Sequence, residues 1–300
     1  MWYNKHMKFY ITKENAGKTI KDFLKQNKFS AALLKKLKKI ENGITVNSIH
    51  QNVTYCLLEN DILNLMTEDT DKDINEFLEP VDLPIDVIYE DENITVVNKP
   101  IKMPTHQYLN NQRNTLANAL KFRYKEKAYV FRAANRLDKD TSGIVITANN
   151  KYYSSIISKM IKNGEASKEY IAVVRGKLVG EGTINAPIDR LGESIIKRIV
   201  RDDGEEAITQ YKSLFCCDEI SVVSVLPTTG RTHQIRVHMA HIGHPIIGDE
   251  LYFEKSPYIG RQALHCGKMD LGEIGSFVAP IPEDIKELIR RYFKNEEICL

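Results

Sequence analysis

Charge along this chain is sorted into blocks, and that sorting limits how the chain can fold. Up to Met66 eleven lysines stand against five acidic residues, a net of +6, whereas residues 67–92 set eleven acidic residues against the single Lys72, a net of −10. The whole chain carries +2, so about +6 is left by difference for the remainder. A block of like charge repels itself and offers little apolar surface to bury, and this one also contains Pro80 and Pro84. It reads as a connector, predicting a small basic unit over 1–66, an acidic linker over 67–82 and a larger unit over 83–300. With 42% hydrophobic positions in 300 residues, the chain has enough apolar side chains for a full core, and global disorder is excluded.

In the small unit Ile20, Phe23 and Leu24, then Leu33, Leu37 and Ile40, recur at helical spacing. Ser30 is placed to cap the second helix and Gly43 to end it. A short β-type run at 44–46, a polar turn at Asn47 and Ser48, and a second run at Ile62 and Leu63 follow. Lys35, Lys36, Lys38 and Lys39 decorate the second helix. On spacing alone a solvated helix face is the favoured reading of such lysines; a phosphate-binding face is the functional alternative.

Beyond the acidic block the pattern turns β-rich. Strands are predicted over 85–89, 94–97, 144–147, 170–174, 207–215 and 222–225, and helices over 116–124, 152–161 and 283–293. The two types do not alternate strictly, so an α+β sheet is expected rather than a doubly wound one. No apolar run approaches the roughly 20 residues that span a bilayer, and residues 1–10 lack the marks of a signal peptide. The five cysteines are odd in number and contain no C-x-x-C pair, against both a disulfide framework and a structural zinc site. A soluble, cytoplasmic protein is the expectation.

Chemistry concentrates in three segments. Arg136-Leu137-Asp138-Lys139-Asp140-Thr141-Ser142-Gly143 is a polar loop set before an apolar strand, where reacting groups usually sit. By itself Asp138 could equally form a turn, with Thr141 and Ser142 capping amides. Thr228-Thr229-Gly230-Arg231-Thr232-His233-Gln234-Ile235-Arg236-Val237-His238-Met239 places Arg231 after a glycine turn, its fixed charge available to a carboxylate or phosphate. His238, His241 and His244 invite a metal reading, but no H-E-x-x-H order supports it, and structural hydrogen bonding is favoured. Ser167-Lys168-Glu169-Tyr170-Ile171-Ala172-Val173-Val174-Arg175-Gly176 is a strand with one tyrosine, which alone is more often core than catalytic.

Together the three segments closely resemble the RluA-type pseudouridine synthases, marked by x-R-L-D-x-x-T-S-G, K-x-Y-x-A-x-V-x-G and G-R-T-H-Q-I-R-V-H-M in that order. The resemblance continues through His244-Pro245-Ile246-Ile247-Gly248-Asp249 and Arg261-Gln262-Ala263-Leu264-His265, and covers most of 83–271. It implies a mixed, largely antiparallel sheet domain of α+β class that isomerises uridine to pseudouridine in RNA. The reaction is redox-neutral and transfers no external group, so no cofactor or metal is implied. Carried over, the catalytic aspartate falls on Asp138, the base-stacking tyrosine on Tyr170, the arginine paired with the aspartate on Arg231, and an RNA contact near the extruded base on Arg136; Arg236 is taken as a further RNA contact. Asn135 stands where many relatives have histidine, and Phe277-Val278-Ala279-Pro280 replaces the usual phenylalanine-x-histidine-proline.

The N-terminal order of a helix pair, Gly43-Ile44-Thr45-Val46-Asn47 and Leu58-Glu59-Asn60-Asp61-Ile62-Leu63 resembles the S-four-type RNA-binding domain. Relatives often carry arginine after the serine of the second helix; here Ala31 and Ala32 follow Ser30, leaving Lys35, Lys36, Lys38 and Lys39 as point charges for phosphate. The implied partner is RNA, with large-subunit ribosomal RNA favoured and transfer RNA the alternative; no membrane or small-molecule partner is implied, and a monomer is the default. A non-catalytic RNA-binding protein is the main rival reading.

Overall fold

A computed structural model describes residues 7–67, 77–109, 112–127, 129–192, 194 and 196–293. The N-terminal residues form β1 (Met7–Tyr10), α1 (Ile20–Gln26), α2 (Ala31–Leu37), β2 (Ile44–Val46), β3 (Ile49–His50) and β4 (Ile62–Leu65). Each helix begins where a side-chain oxygen satisfies an orphan amide: Thr19 accepts from the Asp22 N–H and Ser30 from the Leu33 N–H, both at 3.1 Å. The apolar positions Ile20, Phe23, Leu24, Leu33 and Leu37 all face inward onto a sheet of order β1-β4-β2-β3 and build a hydrophobic cluster of their own. β1 was not anticipated from the sequence, and α2 stops at Leu37, short of Gly43. Lys35, Lys36, Lys38 and Lys39 are exposed.

Most of the expected acidic linker lies outside the described residues. Its visible end is tethered to the body of the protein. Leu78 is buried, the Asn118 side chain donates to the Glu79 carbonyl at 2.8 Å, and the Val81 N–H donates to the Asn118 carbonyl at 3.2 Å.

The larger part is a nine-stranded sheet. Its path runs β5 (Asp86–Glu90), β6 (Ile94–Lys99), β7 (Ser142–Ala148), β14 (Leu264–Asp270), β8 (Ser167–Arg175), β13 (Ile220–Pro227), β12 (Ile208–Cys216) and β9 (Glu181–Asn185), with β15 (Ser276–Val278) added to β14. Every pairing is antiparallel except β7 with β14, so the sheet is mixed and largely antiparallel. β7 is buried along all seven residues, as a strand covered on both faces must be. Helices α3 (Leu116–Arg123), α4 (Lys151–Lys162), α5 (Gln234–His241) and α6 (Glu283–Tyr292) join it, and a hairpin of β10 (Ile188–Arg190) and β11 (Arg198–Val200) stands apart as a two-stranded sheet.

The parallel pairing of the sheet, among the described residues, joins Ser142 to His265 and Gly143 to Cys266, and the φ of +115° at Gly143 belongs to glycine. A β-carbon there would lie 2.2 Å from the Cys266 carbonyl oxygen. The glycine that closes the polar loop therefore lets two central strands meet directly beneath it.

The N-terminal unit rests on α4. The Phe29 and Tyr152 rings lie 4.2 Å apart, the Tyr152 hydroxyl donates to the Asn27 carbonyl at 3.0 Å, and Lys159 Nζ donates to the Lys28 carbonyl at 2.8 Å.

Candidate active site

Where β7, β14 and β8 run side by side, the start of β7 sits beside His265 and Cys266, and Cys266 lies opposite Tyr170. The loop that precedes β7 is thereby held over the middle of the sheet. Its backbone is fastened from below by side chains. The Thr105 hydroxyl donates to the Leu137 carbonyl at 3.0 Å while accepting from the Leu137 N–H at 3.1 Å. Asn135 acts as a side-chain extension of the sheet, donating to the Ile144 carbonyl at 2.8 Å and accepting from the Ile146 N–H at 3.0 Å. Gln262 donates to the Thr141 hydroxyl, and Arg261 reaches the Asp140 carbonyl while pairing in two bonds with Asp284 on α6.

Two buried basic groups complete this support. Lys99, fully buried, points its Nζ at the carbonyls of Pro100 (2.8 Å), Met103 (2.7 Å) and Lys139 (3.2 Å). Burial pulls its pKa down to about 7 against the attraction of Asp138 and Asp140. His265 is also fully buried, and burial pushes its pKa down to about 4. Neutral, it donates from Nε2 towards the Ala279 carbonyl at 3.4 Å, so Nδ1 accepts from the Ser142 hydroxyl at 3.0 Å.

Asp138 emerges from this scaffold into a cavity of about 270 Å³, close to the roughly 300 Å³ at which small-molecule pockets begin. Its walls include Asn135, Asp138, Lys168, Tyr170, Arg231 and His233. The Asp138 carboxylate accepts from Arg236 Nη1 at 3.0 Å, and His233 Nε2 stands 3.7 Å away. Arg236 is held from behind by Asp249, whose two oxygens accept from Nε and Nη2 at 2.7 Å each. Its guanidinium also lies over the Tyr252 ring, 5.1 Å from the centroid. Burial works against the charge on Arg236, and the carboxylates of Asp249 and Asp138 outweigh it, keeping the group cationic.

Expectation and structure part company over the two arginines. Arg231, expected to pair with Asp138, turns outward: Nη1 lies 2.5 Å from the Glu205 carboxylate and Nε donates to the Glu206 carbonyl at 2.9 Å. Arg236, expected to touch RNA, is buried and holds Asp138. The reason is local. Arg231 lies in the loop between β13 and α5, where its side chain is free to swing to solvent, whereas Arg236 is the third residue of α5 between the buried Ile235 and Val237. A sequence signal for this existed: an arginine inside an apolar helix face must meet a buried counter-charge, and Asp249, whose side chain is wholly buried, supplies it.

His233 and Tyr252 are site residues that the sequence did not single out by role. His233 opens α5 in the left-handed region (φ 58°), a conformation uncommon for a residue with a β-carbon. Its Nδ1 shares a 2.9 Å hydrogen bond with the Tyr252 hydroxyl. Burial lowers its pKa, Asp138 opposes that shift and Arg236 reinforces it. The loop before it is fixed by Gln234, which accepts from the Thr229 hydroxyl and the Arg231 N–H and donates to the Ile208 carbonyl.

Tyr170 lines the cavity and is otherwise buried; burial, then Cys266 and Asp138, raise its pKa. Arg136 is exposed at the rim and donates to the Thr232 hydroxyl. It also borders a second, polar cavity of about 320 Å³ with Arg190, Arg198 and Arg231. His238 is committed to structure, with Nδ1 bonded to the Thr209 hydroxyl at 2.8 Å and Nε2 to the Ala186 carbonyl at 2.9 Å. His244 Nδ1 meets the Arg175 carbonyl at 2.8 Å.

Comparison with known proteins bears on this site. Residues 93–241 match the family described as RNA pseudouridylate synthase. An "Uncharacterized RNA pseudouridine synthase YjbO" of Bacillus subtilis is 35% identical over 280 residues, covering 91% of this chain and 98% of that protein. A "Ribosomal large subunit pseudouridine synthase D" of Xanthomonas campestris is 38% identical over 231 residues, 70% of each chain. Among solved structures, "Human RNA Pseudouridylate Synthase Domain Containing 1" superposes with a TM-score of 0.54 at 26% identity, over 66% of this chain and 83% of the other.

Proposed function

Since the chain belongs to the RNA pseudouridine synthases, a family of isomerases, we propose that it converts specific uridines of large-subunit ribosomal RNA to pseudouridine with Asp138 as the catalytic carboxylate. The observation that carries this reading is the fixed pair of Asp138 and Arg236 beside a cavity walled by Tyr170. A carboxylate oriented by a buried arginine faces the sugar as an anion, and stays in place while charge develops at C1′. Tyr170 offers its ring to the detached uracil, keeping it within reach for rejoining through carbon 5. The ribosomal choice of substrate follows the name of the Xanthomonas relative.

Uracil inside a helix cannot reach Asp138, so the target nucleotide enters unstacked or flipped. Arg136, Arg190 and Arg198 on the second cavity, which Asp189 and the Arg231–Glu205 pair also line, suit the phosphates that flank it. On this reading the N-terminal unit is an S-four-type RNA-binding domain, separate from a catalytic domain that begins near residue 83. Its lysine-bearing helix adjoins α4, whose Ile161 lines the proposed catalytic cavity, so one RNA can engage both.

The test is tritium release from ribosomal RNA transcripts labelled at uracil carbon 5, by wild type and Asp138→Asn, without metal or nucleotide. Release by wild type and none by the variant supports the reading. Release from transfer RNA alone moves the substrate, and salt-sensitive binding without release from either RNA overturns the enzyme in favour of a binding protein.

A further inference from the structure

Lys168 stands two residues before Tyr170 on β8, so the two side chains project from the same face of the sheet into the same cavity. Its ammonium reaches across the pocket: Nζ lies 3.9 Å from the point a β-carbon on Gly230 would occupy, against the loop that leads into α5. The other cations on the cavity wall are already engaged, Arg236 by Asp138 and Asp249, Arg231 by Glu205, and Arg136 by the Thr232 hydroxyl. Lys168 Nζ makes no hydrogen bond or ion pair among the described residues; the side chain is half-buried, and desolvation lowers its pKa while the nearby Cys266 opposes that shift. A half-buried ammonium that points into a cavity without a protein acceptor is placed to take one from a ligand that fills the cavity.

We propose that Lys168 is a further catalytic residue, donating a hydrogen bond to a carbonyl oxygen of the uracil ring and stabilising the base as it leaves the sugar. The inference rests on the isomerase reading above and deepens it. When the N1–C1′ bond breaks, both electrons stay with the base, and the charge spreads over N1, O2 and O4. The new bond forms between C5 and C1′; the proton on C5 passes to water and N1 takes one from water, so atoms and charge balance with no outside reagent. Asp138 serves the sugar half of this separation and Lys168 the base half, on opposite sides of the bond being broken. A donor fixed in place where negative charge appears lowers the barrier without reorganisation. The same contact selects a ring that presents a carbonyl oxygen to the ammonium.

The experiment combines Lys168→Met and Lys168→Arg with transcripts in which uridine is replaced throughout by 2-thiouridine or 4-thiouridine, each carrying tritium at carbon 5. Single-turnover release and RNA affinity are measured together. Lys168→Met is expected to slow release about 10- to 100-fold, the worth of one hydrogen bond from a charged donor, with affinity changed less than about twofold. Lys168→Arg keeps the charge and recovers most of the rate even where Lys168→Met folds poorly. Sulfur accepts hydrogen bonds weakly, so one of the two replacements slows the wild type and adds nothing to Lys168→Met; that position identifies the oxygen. The proposal is overturned if Lys168→Met matches the wild type, if its loss tracks RNA affinity, or if both sulfur replacements cost both proteins equally. No release by the wild type on oxygen-bearing RNA removes the isomerase reading itself, and the role of Lys168 with it.

Discussion

The two arginines of the site make opposite predictions, and replacing each in turn tests the geometry. Arg236→Met deletes the guanidinium that joins Asp138 to Asp249, leaving the Asp249 carboxylate fully buried with, among the described residues, the backbone amides of Leu251 and Tyr252 as its remaining partners. Breaking one side of a buried pair costs about 3–5 kcal/mol, because the remaining charge is uncompensated. Against a typical stability of about 5–15 kcal/mol this is a large fraction. Arg231→Ala removes a pair whose side chains are 38% and 70% exposed, and such a surface pair contributes about 0–1 kcal/mol. Urea unfolding of the two variants and the wild type measures both values. Single-turnover tritium release, assayed below the unfolding midpoint, adds the catalytic side: freeing Asp138 from its anchor is expected to cost about 100-fold or more, since small misplacements of reacting groups carry penalties of that order. Arg231→Ala keeps the Asp138 anchor. The reasoning is refuted if Arg236→Met is within about 1 kcal/mol of wild type, or if Arg231→Ala proves the more damaging of the two.

Acid stability should carry the mark of His265. Its folded pKa of about 4 lies below the ordinary 6.5, so between those values the unfolded chain binds the proton more readily; the contribution is complete above pH 6.5 and is lost as pH falls towards 4, amounting to at most about 3 kcal/mol. Urea midpoints of wild type and His265→Gln across that range should differ in slope, and parallel curves would contradict the assignment. For the N-terminal unit, replacing Lys35, Lys36, Lys38 and Lys39 together by alanine is expected to weaken RNA binding and flatten its dependence on salt by about 0.9 per lost phosphate contact in duplex regions, about 0.7 in single strands. An unchanged salt slope in filter binding would return those lysines to the solvated face that their spacing alone suggests.

The sequence by itself determined the class of the fold, the family and the identity of the cavity's main residues. Helical spacing at Ile20, Phe23, Leu24, Leu33 and Leu37 and the apolar run of β7 are local patterns, and local propensity acts before any tertiary contact exists. Asp138 and Tyr170 were legible only because long motifs of a known family enclosed them; by themselves the loop read as a turn and the tyrosine as core. Elements such as β1, β14 and the β10–β11 hairpin escaped notice, since short strands with mixed faces become strands only when a neighbour supplies hydrogen bonds from far along the chain: β14 finds β7 and β8 more than 90 residues earlier.

Only the tertiary structure decided which arginine meets the Asp138 carboxylate. Arg231 and Arg236 are both arginines of one motif, and composition treats them alike. What separates them is that α5 turns the second inward onto Asp249, while the loop before it leaves the first beside Glu205. Lys99 and His265 were likewise ordinary letters until folding removed water from around them, and Lys168 until folding aimed it into the cavity, for a charge becomes costly, oriented and chemically useful only in the environment that the distant parts of the chain assemble.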